Sequence, residues 1–166
     1  RAIQLPDGEP FAMDVVPLLV AQTKPSDARA SAALDMLKAW NMRMAPERAE
    51  PLIFAAWMRA FTKALTADEL GDVFDRVWAD RPNFLTAVLE GKPAAVFCDD
   101  VKTKPKEDCA TILTTSLNTA LDDLTGRYGA DMSKWRWGEA HRARFSHTPF
   151  GFIPVLKNVF GLTEIM

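Results

Sequence analysis

The longest regular pattern in the sequence runs from Glu107 to about Tyr128, and it limits the fold more than any other feature. Gly126 or Gly129 supplies a stop signal at its end. Apolar residues recur in it at helical spacing and share one helix face: Ile112, Leu113, Leu117, Leu121 and Leu124. The pattern predicts a helix, and the longest one in the chain.

Shorter helical patterns precede it. Phe11 opens the first, which we expect to be short because Pro17 interrupts it, and Pro25 with Ser26 opens a second that ends near Asn41. The third begins at about Pro51 and is apolar over much of its surface, which predicts a central position: Leu52, Phe54, Ala55, Trp57, Met58, Phe61 and Leu65.

A fourth helix is expected to start at Thr66, because Thr66 and Glu69 have the spacing of a capping box. A brief apolar turn follows between residues 84 and 89. There is no internal repeat or low-complexity segment. We therefore predict a mainly α fold, with five or six helices and a short strand near residues 137–147, forming a single helical unit over residues 1–166.

Composition excludes several classes of protein. The 166 residues carry 20 Lys+Arg and 22 Asp+Glu, a net charge of −2, and no basic stripe that would favour nucleic acid. No apolar run approaches the ~18 residues that a membrane helix needs, so no membrane contact is expected. Cys98 and Cys109 have no metal-ligand spacing, and the sequence leaves open whether they form a disulfide or two free thiols.

The densest group of chemically capable side chains lies between Trp135 and Gly151 and contains both His residues of the chain. Its odd positions, beginning at Trp137, predict one face of an extended strand. On such a strand His141 and His147 would lie roughly 20 Å apart at ~3.3 Å per residue, too far to share a metal ion. Ser146 and His147 are adjacent and point to opposite faces, which argues against a catalytic pair. We expect no metal and no cofactor.

Three passages follow one another along the chain: Ala2–Leu5 leading to Pro10–Ala12 and Val16–Leu19, Ala33–Asn41 followed by Phe54–Arg59, and Trp135–His141 with Phe145–His147. In this order they resemble the penicillin amidase family. The last is the most specific, because Trp-Gly-x-x-His followed by Phe-x-His is not a general helix pattern. One departure lies at Gln4–Glu9, where the family has Gln-x-Asp and a Ser shortly after, so no role is carried onto Asp7.

The resemblance implies a large amidohydrolase of the N-terminal nucleophile class, whose large chain begins with a catalytic Ser. That Ser attacks the amide carbonyl while its own α-amino group acts as base. The sequence begins with Arg1 and matches no catalytic motif of the family, so we assign no catalytic residue and expect these residues to be inactive alone. The expected partners are the remainder of the parent acylase and its amide substrate, a β-lactam side chain or an acyl-homoserine lactone.

The abrupt start at Arg1 and the end at Met166 lead us to expect a piece excised from a longer chain, and such a piece should expose apolar surface and self-associate. By resemblance the parent is periplasmic or secreted, where a Cys98–Cys109 disulfide can form. An alternative is a free-standing helical interaction module without catalysis.

Four aromatic residues are candidates for the wall of an acyl pocket: Phe54, Trp57, Phe61 and Trp137. The signature residues are expected to have structural roles: Trp137, Gly138, His141 and His147.

Overall fold

A computed structural model describes residues 8–77, 81–145 and 162–165, with side chains described for residues 8–77 and 81–142. These ranges contain seven α-helices: α1 (Pro10–Gln22), α2 (Ala28–Ala39), α3 (Glu50–Leu70), α4 (Phe74–Val77), α5 (Pro82–Leu89), α6 (Cys109–Tyr128) and α7 (Trp137–Ala140). Short 3-10 turns lie at Gly71–Val73, Pro93–Cys98 and Met132–Lys134. The mainly α prediction is confirmed. The helix count exceeds the five or six expected because α4 and α7 are single turns of four residues.

The centre of the fold is the contact between α3 and α6, the most extensive among the described elements. Trp57 and Phe61 of α3 and Leu113 and Leu117 of α6 are all fully buried. Burying an apolar side chain of this size contributes about 1.5–3 kcal/mol. The two strongest apolar patterns in the sequence therefore pack on each other and form the core.

The predicted helix start at Thr66 is wrong. Helix α3 continues without a break from Glu50 to Leu70, and the Thr66 hydroxyl donates to the backbone oxygen of Thr62 inside it. A hydroxyl in a helix interior commonly bonds to the carbonyl one turn earlier, so it has no need to cap. The spacing of Thr66 and Glu69 was compatible with a cap, but the apolar residues on both sides favour one continuous helix.

Helix α1 is longer than predicted, because Pro17 lies inside its 13 residues without ending it. Asp108 caps the start of α6 by accepting from the backbone N–H of Thr111 at 2.7 Å. At 20 residues α6 is one residue shorter than α3, so the prediction that it is the longest helix is wrong for the described residues. It ends at Tyr128, and Gly129 follows with a φ of 85°. A left-handed residue of this kind commonly closes a helix.

The strand predicted near residues 137–147 is corrected in part. Trp137–Ala140 is a helical turn, so Trp137, Glu139 and His141 do not alternate along a strand. Strand β1 is limited to Ala143–Phe145 and pairs antiparallel with β2, Leu162–Ile165, with Ala143 opposite Ile165 and Phe145 opposite Leu162. The helix forms because its N-terminal N–H groups find partners on another part of the chain, which the local sequence does not reveal.

Cys98 and Cys109 form a disulfide, with their Cα atoms 4.9 Å apart. Cys98 ends the 3-10 turn Pro93–Cys98, and Cys109 is the first residue of α6. The bond therefore closes the charged loop 99–108 at the base of the central helix.

Candidate functional site

The segment between α2 and α3 joins several elements and forms the base of the site. The Trp40 indole N–H donates to the backbone oxygen of Arg43 at 2.9 Å, and the N–H of Glu9, just before α1, donates to the backbone oxygen of Met42 at 2.9 Å. Met42 has a φ of 60°, a backbone conformation that few side-chain-bearing residues adopt. These contacts on either side hold it in that conformation.

The Trp-Gly signature docks on the same segment through its backbone. The N–H of Trp137 donates to the oxygen of Arg48, and the N–H of Gly138 donates to the oxygen of Pro46, both at 2.9 Å. These two donors belong to the first turn of α7, where a helix has no internal acceptor for them. We call this contact between residues 46–48 and residues 137–138 the signature junction.

Gly138 is required at the signature junction by space. It is buried, and a Cβ atom placed on it would lie 2.9 Å from the Cβ of Pro46 and 3.4 Å from the backbone oxygen of Pro46. Both neighbours belong to a proline ring and backbone, which cannot turn aside as a flexible side chain can. The Gly of the signature thus permits the approach of two segments about ninety positions apart in the sequence.

An ion pair stands beside the signature junction at the start of α3. Glu50 is 5% exposed, and it accepts from the guanidinium of Arg48 through both carboxylate oxygens. The hydrogen bond and charge of Glu50 raise the pKa of Arg48. An acidic side chain in the first turn also interacts favourably with the helix dipole, so the buried carboxylate is stabilised from two directions.

The two signature aromatics pack on each other. The rings of Trp137 and His141 are stacked, with centroids 4.6 Å apart and planes 10° apart. Trp137 is half-buried and His141 is exposed, while His147 lies outside the described residues. Among the described residues no group of three or more His, Cys, Asp or Glu side chains is arranged to hold a metal ion.

An open cleft of about 600 Å³ adjoins this segment, and most of its lining comes from the α2–α3 connection: Ala39, Asn41, Arg43, Ala45, Pro46, Glu47 and Arg48. It is polar and holds no nucleophile with an adjacent base. The four aromatic pocket candidates do not line it. The sequence predicted none of its lining residues as functional.

Three of the four aromatic candidates are buried in the core, whereas Trp137 adjoins the cleft by donating its backbone N–H to the oxygen of the lining residue Arg48. Trp57 and Phe61 lie fully buried at the α3–α6 contact, and the Trp57 indole N–H donates to Ser116 Oγ at 3.1 Å. Phe54 is 5% exposed, and its ring centroid lies 6.0 Å from that of Phe11 and 5.6 Å from that of Trp40. Contact with a substrate stays a prediction for all four.

Sequence reasoning missed Arg48 and Glu50 as members of the site. One local signal was available, because Glu50 precedes Pro51 and an acidic residue beside a proline is typical of a helix start. Nothing local indicated that Pro46 and Gly138 meet.

The described residues are mainly helical, with two long helices at the centre and a Trp-Gly turn near the end. Sequence comparisons identify the family of a chain with these features. The model of the penicillin amidase family matches residues 1–165. The chain therefore belongs to the penicillin amidase family.

Curated relatives carry a more specific name. The chain is 27% identical over 140 residues to acyl-homoserine lactone acylase QuiP of Pseudomonas syringae pv. syringae (strain B728a), an alignment that covers 80% of this chain and 16% of that protein. It is 29% identical over 124 residues to the QuiP of Pseudomonas putida, covering 70% of this chain and 15% of the relative. The QuiP of Pseudomonas aeruginosa is 27% identical over 121 residues, covering 69% and 14%. The chain thus spans about a sixth of the length of these relatives.

None of the described helices is long and apolar enough to cross a bilayer.

Proposed function

We propose that these residues are the helical part of a longer amidohydrolase that cleaves a linear amide through an N-terminal Ser located outside them. The observation that carries the proposal is the family match over residues 1–165, together with relatives named as acylases of which this chain covers only 14–16%. The chemistry is acyl transfer: the Ser hydroxyl attacks the amide carbonyl and gives its proton to the α-amino group, which passes it to the departing amine. Water then hydrolyses the acyl-ester and releases the acid.

The substrate we favour is an acyl-homoserine lactone, cleaved at its amide bond. The relatives' name supports this choice over the acyl side chain of a β-lactam, the other substrate type considered from the sequence. Both substrates present an acyl chain and an amide carbonyl, so one nucleophile serves either, and discrimination would depend on pocket shape.

Within that enzyme this chain has a supporting role. Its described residues form a buried apolar core between α3 and α6, and backbone hydrogen bonds make the signature junction. We assign no catalytic role to its residues. The buried Trp57 and Phe61 would act on a substrate indirectly, by fixing the helices that carry exposed groups.

The direct test uses the full-length protein. We expect it to hydrolyse an acyl-homoserine lactone, with release of the free homoserine lactone followed by mass spectrometry. Changing the Ser at the start of its large chain to Ala should abolish turnover. A chromogenic penicillin-type amide, assayed in parallel, decides between the two substrate types.

The matched control is the 166-residue chain alone, assayed at the same concentration. We expect no turnover, because no nucleophile with an adjacent base is assigned in it. Turnover by the isolated chain would refute the location of the nucleophile outside these residues.

We also propose that the protein is exported to an oxidising compartment. The Cys98–Cys109 disulfide supports this, since structural disulfides persist in the periplasm and outside the cell and are rare in the cytosol. The state of the pair is measured by alkylating the denatured protein directly from freshly lysed cells, with and without prior reduction. Two thiols that react without reduction in the native host would contradict export.

A further inference from the structure

Apolar side chains are exposed at the C-terminal end of α3 and in the turns that follow it. Leu70, Val73 and Val77 are 37%, 38% and 51% exposed. Val101, 68% exposed, lies near the same end of α3, because its backbone N–H donates to Asp68 Oδ2 at 3.0 Å and Asp68 is two residues before Leu70. We call the surface made by Leu70, Val73, Val77 and Val101 the α3-end surface.

Acidic side chains surround the α3-end surface. Asp68, Glu69 and Asp72 are close together in the sequence at its edge. Asp100 lies close enough to Glu69 for its charge to raise the pKa of Glu69. Within residues 8–77 and 81–142 none of Asp68, Glu69 and Asp72 takes part in a salt bridge. The next acid along, Asp75, does pair with Arg59, at 3.7 Å. The edge of the surface therefore carries three acids that form no salt bridge within the described residues.

The protonation behaviour of two of these acids agrees with this crowding. Sharing a hydrogen bond with Asp68, together with burial, raises the pKa of Glu69, and the charges of Asp68 and Asp100 act in the same direction. Partial burial would raise the pKa of Asp68, but hydrogen bonds from the Glu69 carboxyl group and the Val101 N–H outweigh it, and the pKa is lowered. A cation placed beside these acids would favour the ionised form of each of them.

We propose that the α3-end surface is the docking site for a basic, apolar-centred surface on the remaining polypeptide of the same acylase. The inference rests on the proposed function, because it assumes that the longer protein exists. The four apolar side chains supply the centre of an interface and the acids its rim, the usual arrangement of a specific contact.

Two observations select this occupant. The relatives are about six times longer than the part this chain matches, so most of their polypeptide is available to cover an exposed face. A second copy of the chain would bring Asp68, Glu69 and Asp72 against their own equivalents in a two-fold contact, and like charges in such a position are repelled. A polyanion or an anionic membrane is disfavoured for the same reason.

The test measures thiol accessibility in the native full-length protein. Val73→Cys places a thiol at the centre of the α3-end surface, and Asp14→Cys places one on the exposed face of α1 as the matched control. We expect a maleimide reagent to label position 73 at least ten times more slowly than position 14, after subtraction of the unsubstituted protein. Equal labelling rates would overturn the proposal.

The acidic rim is tested on the Val73→Cys background. The double change Glu69→Lys with Asp72→Lys should raise labelling of position 73 at least five-fold, because it sets like charges against a basic partner. Asp35→Lys, a charge reversal on the exposed face of α2, should leave the rate unchanged. An unchanged rate in the double variant contradicts a basic partner.

Two further readouts keep the result interpretable. If labelling at position 73 slows only as the protein concentration rises, the occupant is a second copy and the proposal fails. If Val73→Cys does not fold, hydrogen exchange of residues 68–75 in the unsubstituted protein replaces it, and rapid exchange there would count against docking.

Acylase activity, measured on the same preparation, separates the docking inference from the proposed function. An active enzyme with a rapidly labelled surface overturns the docking inference alone, and an inactive one with a protected surface overturns the acylase assignment alone.

Discussion

The contact between α3 and α6 and the signature junction are built on opposite principles. The first is made by large side chains that exclude water, with Trp57, Phe61, Leu113 and Leu117 fully buried. The second is made by backbone atoms, with two N–H groups of α7 donating to the oxygens of Pro46 and Arg48 and a Gly that permits the approach. One depends on how much surface is buried, whereas the other depends on how little space a residue occupies.

The difference matters for how each region responds to change. Burial energy is summed over many contacts, and a core that loses one side chain loses a predictable amount. A backbone contact at van der Waals distance leaves no space for further atoms. The addition of a single methyl group there therefore lowers the free energy of unfolding, while the loss of a distant side chain does not affect the contact. Substitutions that separate these two responses therefore test the contrast.

The largest effect is expected in the core. Phe61→Ala should lower the free energy of unfolding by ~3–5 kcal/mol, because it removes a fully buried ring and leaves a cavity. Thermal or urea unfolding of the chain measures it. Leu70→Ala, on the same helix but 37% exposed, is the control and should change stability by less than about 1 kcal/mol. Similar losses for both would mean that α3 is not buried in the way described.

The signature junction is expected to be next. Gly138→Ala should cost ~1–3 kcal/mol, because the new Cβ meets the Pro46 ring at 2.9 Å and the backbone must shift. Gly126→Ala is the matched control, since Gly126 lies inside α6 and a methyl group added there would meet no atom of another element within 4 Å. There the same change should stabilise by ~0.5–1 kcal/mol, the gain from placing Ala in a helix. Opposite signs for the two variants are the expected result, and equal effects would contradict a close approach at residue 138.

A smaller effect is expected from the polar contact inside the core. Trp57→Phe removes the indole donor to Ser116 Oγ, and a hydrogen bond of this kind contributes about 1 kcal/mol. Ser116 still donates to the oxygen of Leu113 at 3.0 Å, so no buried group is left without a partner. A double-mutant cycle with Ser116→Ala isolates the pair. A coupling energy of zero would show that the two side chains act independently.

The smallest effect is a pH dependence at the start of α6. Hydrogen bonds from the hydroxyl and backbone N–H of Thr111 lower the pKa of Asp108. Because the folded state holds the ionised form, this contribution is present above the unfolded pKa of about 3.9 and is lost as pH falls through the lower folded value. Asp108→Asn keeps a capping side chain but does not titrate. The difference in Tm between the two proteins should shrink as pH is lowered below about 4, and a constant difference would contradict the cap.

The contrast also separates what the sequence predicts from what it does not. The stripes on α3 and α6 indicated both helices, because helical periodicity is a property of consecutive residues, and the broad apolar surface of α3 indicated its central position. A local cap follows from the same kind of short-range information: Asp131 precedes a 3-10 turn and accepts from the N–H of Ser133. The misplaced helix start at Thr66 arose where two local signals competed and the apolar run on both sides prevailed.

The signature junction was out of reach for a physical reason. Trp137 and Gly138 form a helical turn only because Pro46 and Arg48 accept their N–H groups, and nothing in the neighbouring residues encodes that partner. Alternation around Trp137 therefore suggested a strand where a helix forms. The buried Glu50 was missed likewise, because its burial depends on how the start of α3 packs.

The two ends of the helical unit meet on one loop. Glu9 binds the oxygen of Met42, and Gly138 binds that of Pro46, four residues further along and no more than ~15 Å away. One loop thus joins the start of α1 to the start of α7, the first and last helices among the described residues. A substitution that moves this loop would therefore displace both helices together, although their sequences lie more than a hundred positions apart.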